Sequence, residues 1–131
     1  MLEQGNTIGE KLLYYRLKNN LTQNELAKIV GLSSGSCIKD IEKNKRLPGR
    51  DVSQRLAEYF KVGTRYFFDE YLEDTYYFGD KLIKYRKENN FSVREAALKF
   101  NISPSTFSMW ENKHSYPSRK VFLTIIELNI L

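Results

Sequence analysis

Residues 22–48, TQNELAKIVGLSSGSCIKDIEKNKRLP, decide the reading of the whole chain. Thr22 suits an N-cap, because its hydroxyl accepts a free amide of the first helical turn. Glu25, three residues on, reaches back to the Thr22 amide and completes a capping box. Leu26, Ala27 and Val30 then form an apolar face at helical spacing. Gly31 falls where a helix C-terminus wants a left-handed residue. Leu32 turns inward and Ser34 caps a second helix. That helix buries Ile38 and Ile41 and turns Ser36, Cys37, Lys39 and Asp40 outward. The stretch therefore predicts a helix, a tight turn, a second helix and a polar, basic loop, Lys43-Asn44-Lys45-Arg46. Two short helices are marginal alone, so further helices must support them.

Composition sets the outer limits. At 131 residues the chain fits one ordinary domain or two small ones. Its 41% apolar and 28% charged content is that of a globular protein rather than a disordered one. No apolar run approaches the roughly 20 residues of a membrane span, so no membrane partner is expected. The opening MLEQGNTIGEKLLYYRLK lacks the order of a signal peptide. The single Cys37 excludes an internal disulfide and fits a reducing compartment, so a cytoplasmic location is expected. Strand signals are sparse and the chain reads as all-α.

The charge is unevenly placed. The net +5 and a pI near 9.3 permit nucleic acid as partner without requiring it. Residues 7–68 carry twelve Lys/Arg against six Asp/Glu, a net +6. Asp69, Glu70, Glu73 and Asp74 then make an acidic patch of −4. Residues 76–131 carry nine against five, a net +4. Two basic bodies joined by an acidic segment suit two DNA-facing surfaces, and equally suit ordinary helices on either side of a solvated linker.

Taken in order, Thr7-Ile8-Gly9-Glu10 is another capping box and opens a helix over about residues 8–20. Pro48-Gly49 ends the central stretch, and Val52, Leu56, Ala57, Tyr59 and Phe60 mark a helix over about 50–61. Gly63 closes it, and Thr64 caps a fifth helix over about 65–72. At Phe78 the pattern begins again. Ile8-Gly9-Glu10-Lys11-Leu12 returns as Phe78-Gly79-Asp80-Lys81-Leu82, Tyr15-Arg16 as Tyr85-Arg86, and Asn19-Asn20-Leu21-Thr22 as Asn89-Asn90-Phe91-Ser92. The offset is 70 residues before the turn and 69 after it, where Ile41-Glu42 matches Trp110-Glu111 and Pro48 matches Pro117. The first copy therefore holds one extra residue, within 33–35. Leu131 aligns with Val62, so the second copy has no counterpart of the fifth helix. An internal duplication of this kind means two structural units of one design.

LTQNELA, GLS and IEKNKRLP in the first copy, and ISPSTFSMWENKHSYPS in the second, resemble the lambda-repressor-like (Xre) helix-turn-helix family. The resemblance runs twice over nearly the whole chain. It implies two tandem helix-turn-helix bundles, the first with five helices and the second with about four, over residues 1–74 and 75–131. It also implies binding to double-stranded DNA as a transcriptional regulator, most often a repressor of the kind found on phages, plasmids and other mobile elements. The departures are the insertion near Gly35, the missing last helix of the second copy, and Val93 where the family favours Gln.

On that resemblance Gln23 touches a phosphate and braces the recognition helix. Ser36, Cys37, Lys39 and Asp40 face the groove, while Lys43, Asn44, Lys45 and Arg46 suit the phosphate backbone. The corresponding residues of the second copy are Ser105, Thr106, Ser108 and Met109, with Arg94, Lys113 and Arg119 around them. That helix carries no charge before Glu111, so its hydroxyls and Met109 offer a weak code, and a docking role for this copy stands beside a DNA-contacting one. Arg16 with Glu42, and Arg86 with Glu111, are expected to pair structurally. Phe107 and Trp110 face the core. Around Cys37, only Lys39 is expected to lower the thiol pKa.

The aromatic residues of 66–78 are expected to pack at the joint or form a partner surface. The tail residues Phe122, Leu123, Ile125, Ile126, Leu128, Ile130 and Leu131 are apolar on more than one face. They are expected to pack on the fifth helix of copy one or on the same tail of another chain, so a homodimer through the tail or the aromatic joint is a second expected partner. One chain using both unlike recognition helices prefers a non-palindromic site; a dimer joined through copy two reads a palindrome with copy one. The competing functional class is a protein-interaction module, antitoxin-like or inhibitory, on the same scaffold. An enzyme is the least expected class: the sequence offers no histidine pair, glycine-rich phosphate loop or serine elbow, and calls for no cofactor or metal.

Overall fold

The computed structural model describes residues 5–131. Among these residues every regular element is helical and no strand occurs. The helices are α1 (Ile8–Lys18), α2 (Gln23–Ile29), α3 (Gly35–Glu42), α4 (Arg50–Phe60), α5 (Glu70–Tyr76), α6 (Phe78–Glu88), α7 (Val93–Lys99), α8 (Pro104–Glu111) and α9 (Arg119–Glu127). The chain divides into two compact units between Glu70 and Tyr71.

The capping chemistry sets the helix starts. Thr22 Oγ1 accepts from the Glu25 amide at 3.1 Å while Glu25 accepts from the Thr22 amide at 2.9 Å. Ser92 and Glu95 repeat both bonds in the second unit. These bonds hold the Glu25 carboxyl below its ordinary pKa, the Thr22 amide contributing most and its hydroxyl next, against a small opposing desolvation. At α1, Thr7 accepts from the Glu10 amide, but Glu10 reaches back to the Asn6 amide rather than to Thr7. Gly31 takes the left-handed conformation, with φ of +77°.

Each unit has its own core. Leu12, Leu26, Ile38 and Leu56 are fully buried in the first, and Leu82, Ala96 and Phe107 fill the matching places in the second, with Ile125 nearly buried. Full burial of one such large apolar side chain contributes about 1.5–3 kcal/mol. The two cores balance volume differently. Leu26 faces the design with Ile38, whereas the smaller Ala96 goes with the larger Phe107, a compensating exchange that keeps a packed interior.

The helix expected over 65–72 lies instead at Glu70–Tyr76. Residues 63–68 form turns, with the Tyr66 amide bonded to the Gly63 carbonyl and the Phe68 amide to the Arg65 carbonyl. Side-chain packing wins over helix continuation here. Phe67 is fully buried against Phe60 and Tyr15, and the buried Ser53 hydroxyl donates to the Phe67 carbonyl at 3.4 Å. The aromatic run expected at the joint divides between the cores. Tyr66, Phe67 and Phe68 pack in the first unit, while the Tyr71 ring meets Phe122 at 5.8 Å and its hydroxyl donates to the Pro117 carbonyl in the second. Of the tail, Phe122 and Ile125 are buried, whereas Leu123, Ile126, Leu128 and Leu131 remain exposed.

Candidate nucleic-acid interface

The second helix of each helix-turn-helix pair is the element that enters a major groove, so α3 and α8 are the candidates. In α3, Gly35, Ile38 and Ile41 are buried. Ser36 and Lys39 are exposed, Cys37 and Asp40 half-buried. Lys43, Asn44, Lys45 and Arg46 continue beyond the helix as an exposed run. In α8, Phe107, Trp110 and Glu111 are buried, Ser105 and Met109 exposed, and Thr106 and Ser108 half-buried. The residues assigned to each helix from the sequence thus differ in their access to solvent.

Both recognition helices are fixed by an ion pair at their C-terminal ends. Arg16 Nε lies 2.6 Å from Glu42 Oε2, and its other arms donate to Glu42 Oε1 at 3.1 Å and to the Leu21 carbonyl at 2.9 Å. Such a two-pronged contact fixes orientation as well as distance. Gln23, expected at a phosphate and as a brace, is half-buried and donates to Glu42 Oε1 at 3.0 Å, so the brace is formed. In the second unit Arg86 Nε meets Glu111 Oε1 at 2.6 Å, and its second contact is longer, 3.4 Å. Val93 stands where Gln23 does and supplies no side-chain hydrogen bond.

A glycine lets the first helix reach this point. A Cβ on Gly9 would stand 2.5 and 2.6 Å from the carbonyl oxygens of Ile41 and Glu42. A Cβ on Gly79 would stand 2.5 Å from that of Trp110. The repeat of this glycine is visible in the sequence; its reason, a backbone-to-backbone approach, is visible only in the fold.

The loops after the recognition helices are tied to the first helices. Asn44, expected at the backbone of DNA, accepts from the Gly9 amide at 3.1 Å and donates to Thr7 Oγ1 at 3.2 Å. Lys113, its counterpart, is paired with Asp80 at 3.1 Å, and that hydrogen bond raises its pKa above the ordinary lysine value. Lys113 also lies over the Tyr77 ring at 5.8 Å. Its charge is therefore partly answered within the protein. Lys39, Lys43, Lys45 and Arg46 are exposed, and Arg46 donates to Cys37 Sγ at 3.2 Å.

This last contact corrects the expectation that Lys39 alone would act on Cys37. Burial pushes the thiol up, but hydrogen bonds from Ser33 and Ser34 and the charge and bond of Arg46 outweigh it and leave the pKa below its ordinary value.

The extra residue of the first copy also changes how the recognition helix begins. Residues 30–34 join α2 to α3, one more than the 100–103 that join α7 to α8. Ser103 caps α8 by accepting from the Thr106 amide at 3.2 Å. Ser34, expected to cap α3, instead pairs its hydroxyl with that of Ser36 at 2.6 Å and makes no cap bond. Asn24 from α2 takes over, accepting from the Gly35 amide at 2.9 Å. Its counterpart Arg94 is exposed and carries charge instead. Asn24 was not singled out from the sequence, although the insertion beside Gly35 marks where the ordinary cap would fail.

A helix-turn-helix domain family matches residues 9–73, and a helix-turn-helix family matches residues 82–128. The chain is also similar to an uncharacterized helix-turn-helix-type transcriptional regulator of Methanocaldococcus jannaschii, 44% identical over 52 residues, which is 40% of this chain and 77% of the relative. No solved structure matches. The chain belongs to the helix-turn-helix family and carries two such domains in tandem. Among the described residues no helix is long and apolar enough to cross a membrane.

Proposed function

We propose that the protein binds duplex DNA with sequence preference and regulates transcription, as a repressor that occludes its site, of the kind carried by mobile elements. The observation that carries this is the exposed edge of α3. Ser36 and Lys39 stand clear of a helix held from behind by buried Ile38 and Ile41, and Lys43, Lys45 and Arg46 extend the same run into solvent. Lysine and arginine at that edge neutralise phosphates and supply most of the affinity. Lys39 reaches guanine acceptors, and Ser36 either base edge. Asp40, half-buried, accepts from a cytosine amine.

Selection of bound sequences from random duplex DNA tests this reading. An enriched motif is expected, with affinity falling by orders of magnitude between about 50 and 200 mM salt. Recovery of no motif, with binding indifferent to salt, would overturn it. The exchange of Ser36 or Lys39 for alanine should alter the recovered motif, while Lys43→Ala should weaken all sequences alike.

A further inference from the structure

The first turn of α2 reaches both ends of the first recognition helix. Gln23 donates to Glu42 at the C-terminal end of α3, at 3.0 Å. Its neighbour Asn24 accepts from the Gly35 amide at the N-terminal end, at 2.9 Å. Gly35 is buried there. A Cβ on it would stand 2.4 Å from Asn24 Oδ1, 2.8 Å from the Asn24 backbone nitrogen and 3.0 Å from the Gln23 carbonyl carbon. The start of α3 therefore lies against the backbone of α2, and Asn24 fastens it there.

The second unit has neither contact. Val93 and Arg94 stand in place of Gln23 and Asn24, and Pro104 in place of Gly35. Proline has no amide to donate, so the first residue of α8 needs no acceptor from α7. Ser103 caps α8 from its own segment, accepting from the Thr106 amide at 3.2 Å. Pro104 is exposed where Gly35 is buried. Asn24 with Gly35 against Arg94 with Pro104 is thus one coupled exchange: an amide together with its acceptor, or neither.

The length of α3 makes its second fastening matter. Its eight residues span about 12 Å. Held at one end only, a helix of that length moves its other end by about 1 Å for a tilt of about 5°. A hydrogen bond to a base edge is lost over such a shift, because its heavy atoms must stay within about 3.2 Å. Lys39 lies near the Arg16–Glu42 clamp, whereas Ser36 lies beside Gly35, at the end that Asn24 holds. The Ser36 hydroxyl is itself oriented there by Ser34 at 2.6 Å.

We infer that Asn24 is a positioning residue: it seats the N-terminal end of α3 and so sets which base edge the Ser36 hydroxyl meets. Asn24 reads no base itself, and Lys39 keeps its place through the clamp. This rests on the DNA-binding reading and names what fixes its specificity.

Two measurements on the full chain test it. Exchange of the Gly35 amide, followed by NMR, should accelerate in Asn24→Ala and return to the wild-type rate in Asn24→Asp, which keeps the accepting oxygen and suits a helix start. Selection from random duplex DNA should then separate the two ends of α3. Asn24→Ala should lose roughly tenfold discrimination at the base pairs whose preference Ser36→Ala alters, and none at those that Lys39→Ala alters. Asn24→Asp should recover that discrimination, while its added negative charge weakens all sequences alike. Asn24 is exposed, so neither variant opens the core, and circular dichroism should show the wild-type helix content in both. An Asn24→Ala chain that keeps the wild-type motif, a loss spread equally over the Ser36 and Lys39 positions, or an Asn24→Asp chain that restores nothing would overturn the inference. So would a loss of helix content in Asn24→Ala, which would make Asn24 a residue of stability alone. A wild-type chain that enriches no motif would overturn the DNA reading itself, whereas a wild-type motif accompanied by any of those failures would overturn only the seating role.

Discussion

The end of α3 and the end of α8 are built from one plan and finished differently. In both, an arginine of the first helix clamps the glutamate that closes the recognition helix, and a glycine lets the two backbones approach. Around α3 the clamp has a third member, Gln23, and the following loop is fastened by neutral Asn44, which leaves Lys43, Lys45 and Arg46 facing solvent. Around α8 the third member is missing, and the loop is fastened by Lys113, whose cation is paired with Asp80. Duplicated scaffolding is thus kept where it holds the helix. It diverges where charge is either presented or used internally. The first unit presents cations; the second uses one to hold itself together.

The clamp offers the sharpest way to break this comparison. Arg16 and Glu42 keep only 12% and 6% of their side-chain surface exposed, against 24% and 8% for Arg86 and Glu111. Removing one partner of a buried pair strands the other, at a cost of roughly 3–5 kcal/mol. Glu42→Ala should approach that range, since it strands Arg16 and Gln23 together. Glu111→Ala should cost less, because Arg86 is more hydrated. Amide hydrogen exchange, which reads each unit separately, checks the order. Equal losses would mean that Gln23 adds nothing.

Gly9→Ala and Gly79→Ala should each destabilise their own unit by about 1–3 kcal/mol, since the new methyl group meets carbonyl oxygens that cannot move independently. Exchange protection of α1 and α6 checks this. Thr22→Ala and Ser92→Ala should cost about 1 kcal/mol each and nearly equally, since both capping boxes are complete. A marked inequality would show that the two copies differ at a point where their geometry is the same.

The smallest expected effect is the pH dependence that Tyr66 contributes to the first unit. Burial, with the Tyr15 phenol beside it, pushes the Tyr66 phenol up to about 12 from an ordinary 10. A raised pKa means that the folded state holds the proton more tightly. Its contribution is therefore complete below about pH 10 and is lost as pH rises through about 12. Thermal unfolding in that window, compared with Tyr66→Phe, should show a steeper decline for the wild type.

Much of this was legible in the sequence for identifiable reasons. Capping boxes, the Arg16–Glu42 and Arg86–Glu111 pairs and the inward places of Phe107 and Trp110 depend on residue type at fixed spacing, and the 70-residue repeat displays each of them twice. What was not legible depends on approach in three dimensions. The tie of Asn44 to Gly9, the contact of Arg46 with Cys37 and the cap lent by Asn24 to α3 link residues whose spacing has no local meaning. The fifth helix was misplaced because Tyr66 and Phe67 carry a helix-compatible sequence, yet are drawn into the core as a turn.

The central claim, that the cations beside α3 carry DNA binding while Lys113 serves the fold, is tested most directly by the salt dependence of binding in single-residue variants. Lys43→Ala and Lys45→Ala should each flatten the slope of log affinity against log salt by about one unit, and Lys113→Ala should leave it unchanged. A slope that Lys113→Ala flattens as much as the first-unit variants do, or one that none of them alters, would contradict it.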